Sequence, residues 1–203
     1  MHRFSKILPA LPILVIAVVL SGKETSRVIA LQPFGKVNPS IVKEVEKGIT
    51  RAYSLRVEVL PAVPLPKETW YQPRRRYRAE KLLNFLSINT PEKYMKVIGL
   101  TRRDISTTKG KIKDWGIFGL GTVGGRTCVI STFRLRRGRV SYRYFIGRLV
   151  KVANHELGHT FGLWHCPNHG CLMEDAKGTI KTVDRETGAF CSECRERMKG
   201  VLK

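Results

Sequence analysis

The chain carries the sequence HELGHTFGLWH at residues 155–165. Residues four apart lie on the same face of a helix, so His155 and His159 can present their imidazoles to one metal ion. Glu156 lies beside them without being forced to bind that ion. A carboxylate in this position can take a proton from an attacking water molecule and return it to a leaving amine. The pattern therefore predicts a metal-assisted hydrolase with Glu156 as its general base.

The end of the same stretch supplies a third candidate ligand. Gly162 allows the chain to leave the helix in a conformation that other residues rarely adopt, and the turn brings back His165. Three neutral imidazoles leave a fourth coordination position open, which is typical of catalytic zinc. The alternative is that these histidines lie on a buried helix face and make only hydrogen bonds. Three of the chain's five histidines stand at ligand spacing, which favours the metal site.

Four of the five cysteines follow this stretch, at Cys166, Cys171, Cys191 and Cys194. Four thiolates suit a closed tetrahedral zinc with no open position, so this metal is predicted to be structural. Cys166 directly follows His165, so one peptide bond would link the two sites. Two local disulfides, or a redox pair at Cys191 and Cys194, are the alternatives, although the βαβ pattern of redox proteins is missing there.

Length and composition indicate one globular domain. The chain has 203 residues, of which 42% are hydrophobic and 26% charged. Its formal net charge of +21 predicts attraction to an anionic partner such as nucleic acid, anionic lipid or an acidic peptide. The basic residues cluster at 74–78 and 134–139, and neither cluster carries a specific nucleic-acid motif. The alternative for both clusters is a solvated charged face.

Residues 1–26 differ from the remainder. Arg3 and Lys6 precede an apolar run, Ile7 to Leu20, as in a secretory signal. The run is shorter than the roughly 20 apolar residues of a membrane span, but the small-residue cleavage site is weak. The sequence therefore predicts a signal peptide or an N-terminal membrane anchor, and hence an exported or membrane-anchored protein. A cytoplasmic location is the alternative. The folded domain is predicted to span residues 27–203.

Apolar spacing predicts the order of helices and strands in this domain. Strands are expected at Arg27–Leu31, Leu55–Leu60 and Tyr94–Leu100, and helices at 39–53, 74–87 and 142–163. Residues 61–73 are rich in proline and predict a loop. The glycine-rich segment 115–133 predicts a strand pair or an irregular edge strand. Alternating strands and helices followed by a metal-rich tail indicate an α+β domain with an α/β-like mixed twisted sheet.

The run from His155 to Cys194 resembles the archaemetzincins, a metzincin-type family of zinc metallopeptidases. It matches H-E-x-x-H-x-x-G-x3-C-x4-C-x-M-x17-C-x2-C at every fixed position. The resemblance implies a mixed-sheet upper subdomain at about 27–163, with an active-site helix, and a lower subdomain at about 164–203 around a second zinc. It also implies that Met173, by spacing alone a core residue, forms the Met-turn beneath the catalytic zinc. Part of 115–133 would be the edge strand that pairs with an extended peptide.

Two functions follow from these patterns. The first is hydrolysis of a peptide or protein substrate by zinc-activated water, with two Zn²⁺ per chain, one catalytic and one structural. The alternative is a zinc-stabilised basic module that binds nucleic acid or an anionic membrane without catalysis. Glu156 favours the enzyme, because a purely structural zinc does not need a carboxylate beside an open coordination position.

Overall fold

The structure, a computed structural model, describes residues 26–202. Its strands are β1 (Ser26–Phe34), β2 (Arg56–Val59), β3 (Trp70–Tyr71), β4 (Arg76–Arg78), β5 (Tyr94–Thr101), β6 (Ile105–Lys109), β7 (Ile112–Ile117), β8 (Gly119–Gly121) and β9 (Thr127–Ser131). Its helices are α1 (Pro39–Tyr53), α2 (Ala79–Asn89), α3 (Tyr142–Thr160), α4 (Ile180–Arg185) and α5 (Ser192–Leu202). Two short 3₁₀ helices flank β3, at Lys67–Thr69 and Gln72–Arg74.

The predicted signal peptide or anchor lies outside the described residues, apart from Ser26. None of the helices between residues 26 and 202 is long and apolar enough to cross a membrane.

The larger sheet separates two apolar layers. Its strand order is β2-β1-β5-β9-β8, in which the first four strands are parallel and β8 runs antiparallel to β9 at one edge. Alternate residues of a strand point to opposite faces. In β1, Ile29 and Leu31 join the core beneath α1 and α3, whereas Val28 and Ala30 join the core beneath α2. Because both faces are covered, the central strands are apolar almost without interruption.

A smaller sheet lies beside the first, in the order β3-β4-β6-β7. Its β4 and β6 are parallel, and its other pairs are antiparallel. The two sheets and the helices that cover them make the predicted α+β arrangement with mixed sheets.

Most predicted elements of the larger sheet and its helices agree with the structure, and one does not. The helix predicted at 74–87 was wrong in its first turn, since residues 76–78 form β4 and α2 begins at Ala79. Tyr77 pairs with Ile105 of β6 and its ring packs against Trp70. These contacts come from distant parts of the chain, and they override the local helical spacing.

Some of the clustered arginines are internal to the fold. Arg76 bridges Asp104 and Asp114 at 2.8 Å each, and Arg134 binds Asp104 at 2.7 Å. The side chains of Arg76 and Arg134 are only 22% and 13% exposed. Gly116 leaves the space that the Arg134 guanidinium occupies. The prediction of a solvated face therefore does not hold for these two arginines, which join the loop after β9 to the smaller sheet.

The tail after α3 is fastened back onto that helix. Arg148 binds both carboxylate oxygens of Asp184 in α4, at 2.6 and 2.8 Å. One turn further along α3, the ammonium of Lys151 donates to the main-chain carbonyls of Val183 and Glu186. These contacts set the position of α4 against the side of α3 that precedes the histidine motif.

Candidate metal centres and substrate cleft

The three histidines of the motif converge at the end of α3. Their candidate ligand atoms lie within 4.8 Å of one another. The Nε2 atoms of His155 and His159 are 3.1 Å apart. The helix places the first two rings one turn apart, and Gly162, with a φ of 89°, ends the helix so that His165 returns to them. The structure thus brings together the three imidazoles that the sequence predicts as ligands.

Main-chain carbonyls fix the tautomers of two of these rings. Nδ1 of His155 lies 2.7 Å from the carbonyl oxygen of Leu172, and Nδ1 of His159 lies 2.7 Å from that of Leu163. Because a carbonyl oxygen only accepts, the proton of each neutral ring is on Nδ1 and the Nε2 lone pair is free. Burial, together with the neighbouring His159, lowers the pKa of His155 to about 4. Burial also lowers the pKa of His159, so both rings are neutral near pH 7.

These hydrogen bonds make the cluster suitable for a cation. Two lone pairs that face each other at 3.1 Å repel unless a positive ion lies between them. Two nitrogen ligands of one tetrahedral zinc are about 3.3 Å apart, given bonds of about 2.0–2.1 Å. The donor set and its spacing therefore fit zinc, and the carbonyls that orient the rings are the outer partners common at such sites.

Glu156 lies half-buried between the helix and the edge strand β8. Burial raises the pKa of its carboxyl to about 8, and a hydrogen bond from the Gly121 main chain opposes this rise. A Cβ atom on Gly119 would lie 2.5 Å from Cγ of Glu156, and one on Gly121 would overlap the Glu156 carbonyl oxygen. Gly124 further ties this segment to α3 through its N–H, 2.9 Å from the His159 carbonyl. The glycines of β8 thus allow the strand to contact the predicted base.

Met173, which the resemblance assigns to the Met-turn, packs against α3. It is fully buried, and a Cβ atom on Gly158, between the two helical histidines, would approach its Sδ atom to 2.6 Å. Its neighbour Leu172 supplies the carbonyl that orients His155. The main-chain N–H of Cys166 donates to the Met173 carbonyl at 2.8 Å. This turn therefore supports the floor of the histidine cluster and connects it to the cysteines.

The four predicted cysteines form a second cluster. Their sulfur atoms lie within 4.8 Å of one another, and those of Cys166 and Cys191 are 3.7 Å apart. A disulfide would require about 2.05 Å, whereas two thiolates on one tetrahedral zinc are about 3.8 Å apart, given zinc–sulfur bonds of about 2.3 Å. All four cysteines are free thiols in the described part of the chain. The arrangement of the four sulfur atoms thus fits a closed metal site.

Hydrogen bonds to sulfur support the same interpretation. Cys171 Sγ accepts from the main-chain N–H groups of Met173 and Cys191, each at 3.4 Å. The amide of Asn168 donates to Cys191 Sγ, also at 3.4 Å. This bond is the main reason why the pKa of Cys191 falls to about 6. Donors of this kind stabilise thiolates, the form that binds metal.

A cavity of about 410 Å³ opens beside the histidines. One wall is formed by β6, β7 and β8, and the opposite wall by α3 and the tail. Since β8 is the edge of the larger sheet, the implied edge strand within 115–133 is Gly119–Gly121. The sequence did not reveal the remaining wall residues, which include Val152, Val183 and Glu186. No motif contains them, and only the docking of α4 on α3 brings them to the cavity.

Comparison with known proteins extends well beyond the histidine motif. The sequence profile of Peptidase family M54 matches residues 14–200. The archaemetzincin of Halobacterium salinarum is 30% identical over 170 residues, which cover 80% of this chain and 94% of that protein. The crystal structure of the Methanopyrus kandleri archaemetzincin is similar with a TM-score of 0.75 and 32% identity, covering 91% of this chain and 99% of that one.

A second solved structure, the Archaeoglobus fulgidus archaemetzincin in complex with malonate, has a TM-score of 0.72 and 31% identity. It covers 84% of this chain and 99% of that one. The matches thus include both sheets and the cysteine-bearing tail as well as α3. Because the similarity spans nearly the whole chain and not the histidine motif alone, the chain belongs to Peptidase family M54, the archaemetzincins, and is a zinc metallopeptidase.

Proposed function

We propose that His155, His159 and His165 bind the catalytic zinc and that Glu156 is the general base in peptide-bond hydrolysis. The observation that carries this proposal is the pair of Nε2 lone pairs, which face each other at 3.1 Å while both Nδ1 atoms donate to carbonyls. Zinc bound there supplies a Lewis acid that polarises the scissile carbonyl and makes water a better nucleophile.

The chain's own groups perform the remaining steps. The Glu156 carboxylate takes a proton from the attacking water and transfers it to the leaving amine. The main-chain hydrogen bond from Gly121 holds this carboxylate at the edge strand. An extended substrate can pair with the free edge of β8, which places its backbone between that strand and α3. The carbonyls of Leu172 and Leu163 keep the two helical imidazoles in the tautomer that binds metal.

Substitution of the base tests this assignment. Glu156→Gln keeps the size of the side chain but cannot accept the proton, so we expect hydrolysis to fall by about 10²–10⁴-fold or more. Zinc content should remain at the wild-type value, since Glu156 is not a ligand. Glu196→Gln, on the exposed face of α5, removes the same charge far from the cleft and should leave hydrolysis unchanged. Wild-type turnover in Glu156→Gln would exclude Glu156 as the base.

We further propose that Cys166, Cys171, Cys191 and Cys194 bind a second, structural zinc. Four thiolates leave no open coordination position, so this site does not act on substrate. Its role would be to hold parts of the catalytic site in place. Cys166 follows His165 directly, and Cys171 lies two residues before Met173, so a metal here would hold both the third histidine and the turn beneath α3.

Zinc counts of purified variants test the two sites separately. We expect two zinc ions per wild-type chain, and loss of at least one in both His159→Ala and Cys194→Ala. His169→Ala is the matched control, because His169 has an 86% exposed side chain and bonds only to Glu174 among its described contacts. Cys194→Ala with two zinc ions would refute the cysteine site, and His159→Ala with two would refute the histidine site.

A further inference from the structure

Acidic side chains are concentrated in the substrate cavity of an otherwise basic protein. The chain has 37 lysines and arginines against 16 aspartates and glutamates. Four of those acids line the cavity, Glu156, Glu174, Asp175 and Glu186, but only two of the lysines and arginines, Lys109 and Lys177. The cavity lining therefore holds a larger share of acids than the rest of the molecule, although Glu174 is already paired with Arg185.

Glu186 stands out among these acids because its buried side chain makes no ion pair with any described residue. The residue is 7% exposed, and no hydrogen-bond partner for its Oε2 atom exists in the described part of the chain. The nearby ammonium of Lys151 donates to main-chain carbonyls and makes no described ion pair with the Glu186 side chain. A buried carboxylate oxygen without a donor is costly, and such groups are rare in folded proteins unless a ligand or solvent satisfies them.

Two apolar side chains line the same cavity as the histidines and this carboxyl group. Val152 precedes His155 and Glu156 by three and four residues, so it lies on the same face of α3. Val183 of α4 lines the cavity three residues before Glu186. Both valines are 5% exposed. A cavity lined by apolar side chains and a carboxylate matches a substrate side chain with an aliphatic stem and a cationic head, as in lysine and arginine.

We propose that Glu186 is a specificity-determining residue, and that the enzyme prefers substrates with a lysine or arginine side chain next to the scissile bond. This inference rests on the peptidase function proposed above. The cationic head would supply the counter-charge that the Glu186 carboxylate lacks, and the two valines would contact its stem. Burial raises the pKa of the Glu186 carboxyl to about 8, and a bound cation would favour its ionised form.

Peptide cleavage measures this preference directly. Wild type, Glu186→Gln and the control Glu196→Gln are each given the same mixed peptide library, and the cleaved bonds are identified by mass spectrometry. We expect lysine and arginine to be enriched at one position in wild type and in the control but not in Glu186→Gln. For a single peptide, kcat/KM should fall about 100-fold in Glu186→Gln when that position is lysine, and less than twofold when it is norleucine. An unchanged ratio of the lysine to the norleucine peptide would overturn the proposal.

A second measurement does not depend on the variant folding or on cleavage. n-Butylguanidinium and its neutral isostere n-butylurea are titrated into the zinc-loaded wild-type protein, and the rise in melting temperature is followed. A rise in melting temperature with n-butylguanidinium alone supports a cation-binding site at Glu186 in the cavity. Equal rises with the two probes contradict it. If the guanidinium binds but wild type cleaves no peptide, the peptidase assignment fails while the pocket stands.

Discussion

Gly119 shows how one missing side chain allows the edge strand to reach the general base. A Cβ atom there would lie 2.5 Å from Cγ of Glu156. Gly119→Ala should therefore displace the carboxylate, and a shift of about 1 Å in a catalytic group can cost about 10²-fold in rate. We expect kcat to fall by about 10–100-fold with zinc content unchanged, measured by peptide hydrolysis and metal analysis.

The control for that substitution is Gly147→Ala, on the active-site helix itself. A Cβ atom on Gly147 meets nothing within 4 Å, and alanine is the better helix former by about 0.5–1 kcal/mol. This variant should melt at a slightly higher temperature and hydrolyse peptides at the wild-type rate. Equal activity of Gly119→Ala and Gly147→Ala would mean that the contact with Glu156 does not position the base.

The site residues could be predicted from the sequence where their chemistry depends on spacing within one helix or strand. His155, Glu156 and His159 occupy adjacent turns of one helix, so their proximity follows from helical geometry alone. The four cysteines are recognisable because closely spaced cysteine pairs are typical of metal sites. Glu186 has no such signature. Its carboxyl becomes significant only when α4 docks, because its burial and its missing donor are properties of the tertiary structure.

At the scale of elements, α4 depends on Arg148. The Arg148 side chain is 8% exposed and binds Asp184 through two short hydrogen bonds. Asp184→Asn would leave the guanidinium without its counter-charge, and removal of one partner of a buried pair costs about 3 kcal/mol. We expect a loss of this size in chemical denaturation, together with weaker substrate binding, because α4 forms one wall of the cavity.

The exposed pair between Glu196 and Lys199 provides the comparison. Both side chains are largely in water, so Glu196→Gln should change stability by no more than about 0.5 kcal/mol. A similar small effect of Asp184→Asn would mean that the tail is held by its metal site and packing, with little contribution from Arg148.

Elements with strong internal patterns were predicted well, and short ones were not. The helix α1 has its Asn38 cap and regular apolar spacing, and its predicted bounds agree with the structure. The strands β3 and β4 have two and three residues and are defined by pairing partners far along the chain. Local sequence carries little information about such pairs, so residues 61–78 were assigned to a loop and a helix turn instead. The tail helices, α4 with six residues and α5 with 11, were not predicted.

At the scale of the whole molecule, the fold class, the family and the class of enzyme predicted from sequence are confirmed. The charge distribution was only partly anticipated. The excess of positive charge predicts an anionic partner, yet four acidic side chains line the cavity. Attraction of polyanions should therefore involve the outer surface and not the cleft.

The separation of the basic outer surface from the cavity can be tested by polyanion binding. The chain should bind a polyanion such as heparin, with an affinity that falls steeply as salt concentration rises, because binding releases condensed counterions. Glu156→Gln should bind equally well, and a saturating polyanion should leave hydrolysis of a small peptide unchanged. Competitive inhibition by the polyanion would instead place its binding site in the cleft.

The peptide bond between His165 and Cys166 gives the two proposed metal sites a route for thermodynamic coupling. Any factor by which an ion at the cysteines tightens binding at the histidines must apply in reverse, since linkage is reciprocal. If that factor is large and the two sites have similar intrinsic affinities, chains carrying a single ion are scarce at intermediate zinc concentrations, and most molecules are either empty or fully loaded. Activity would consequently rise with free zinc as a sigmoid, which would make this enzyme responsive to the zinc status of its surroundings.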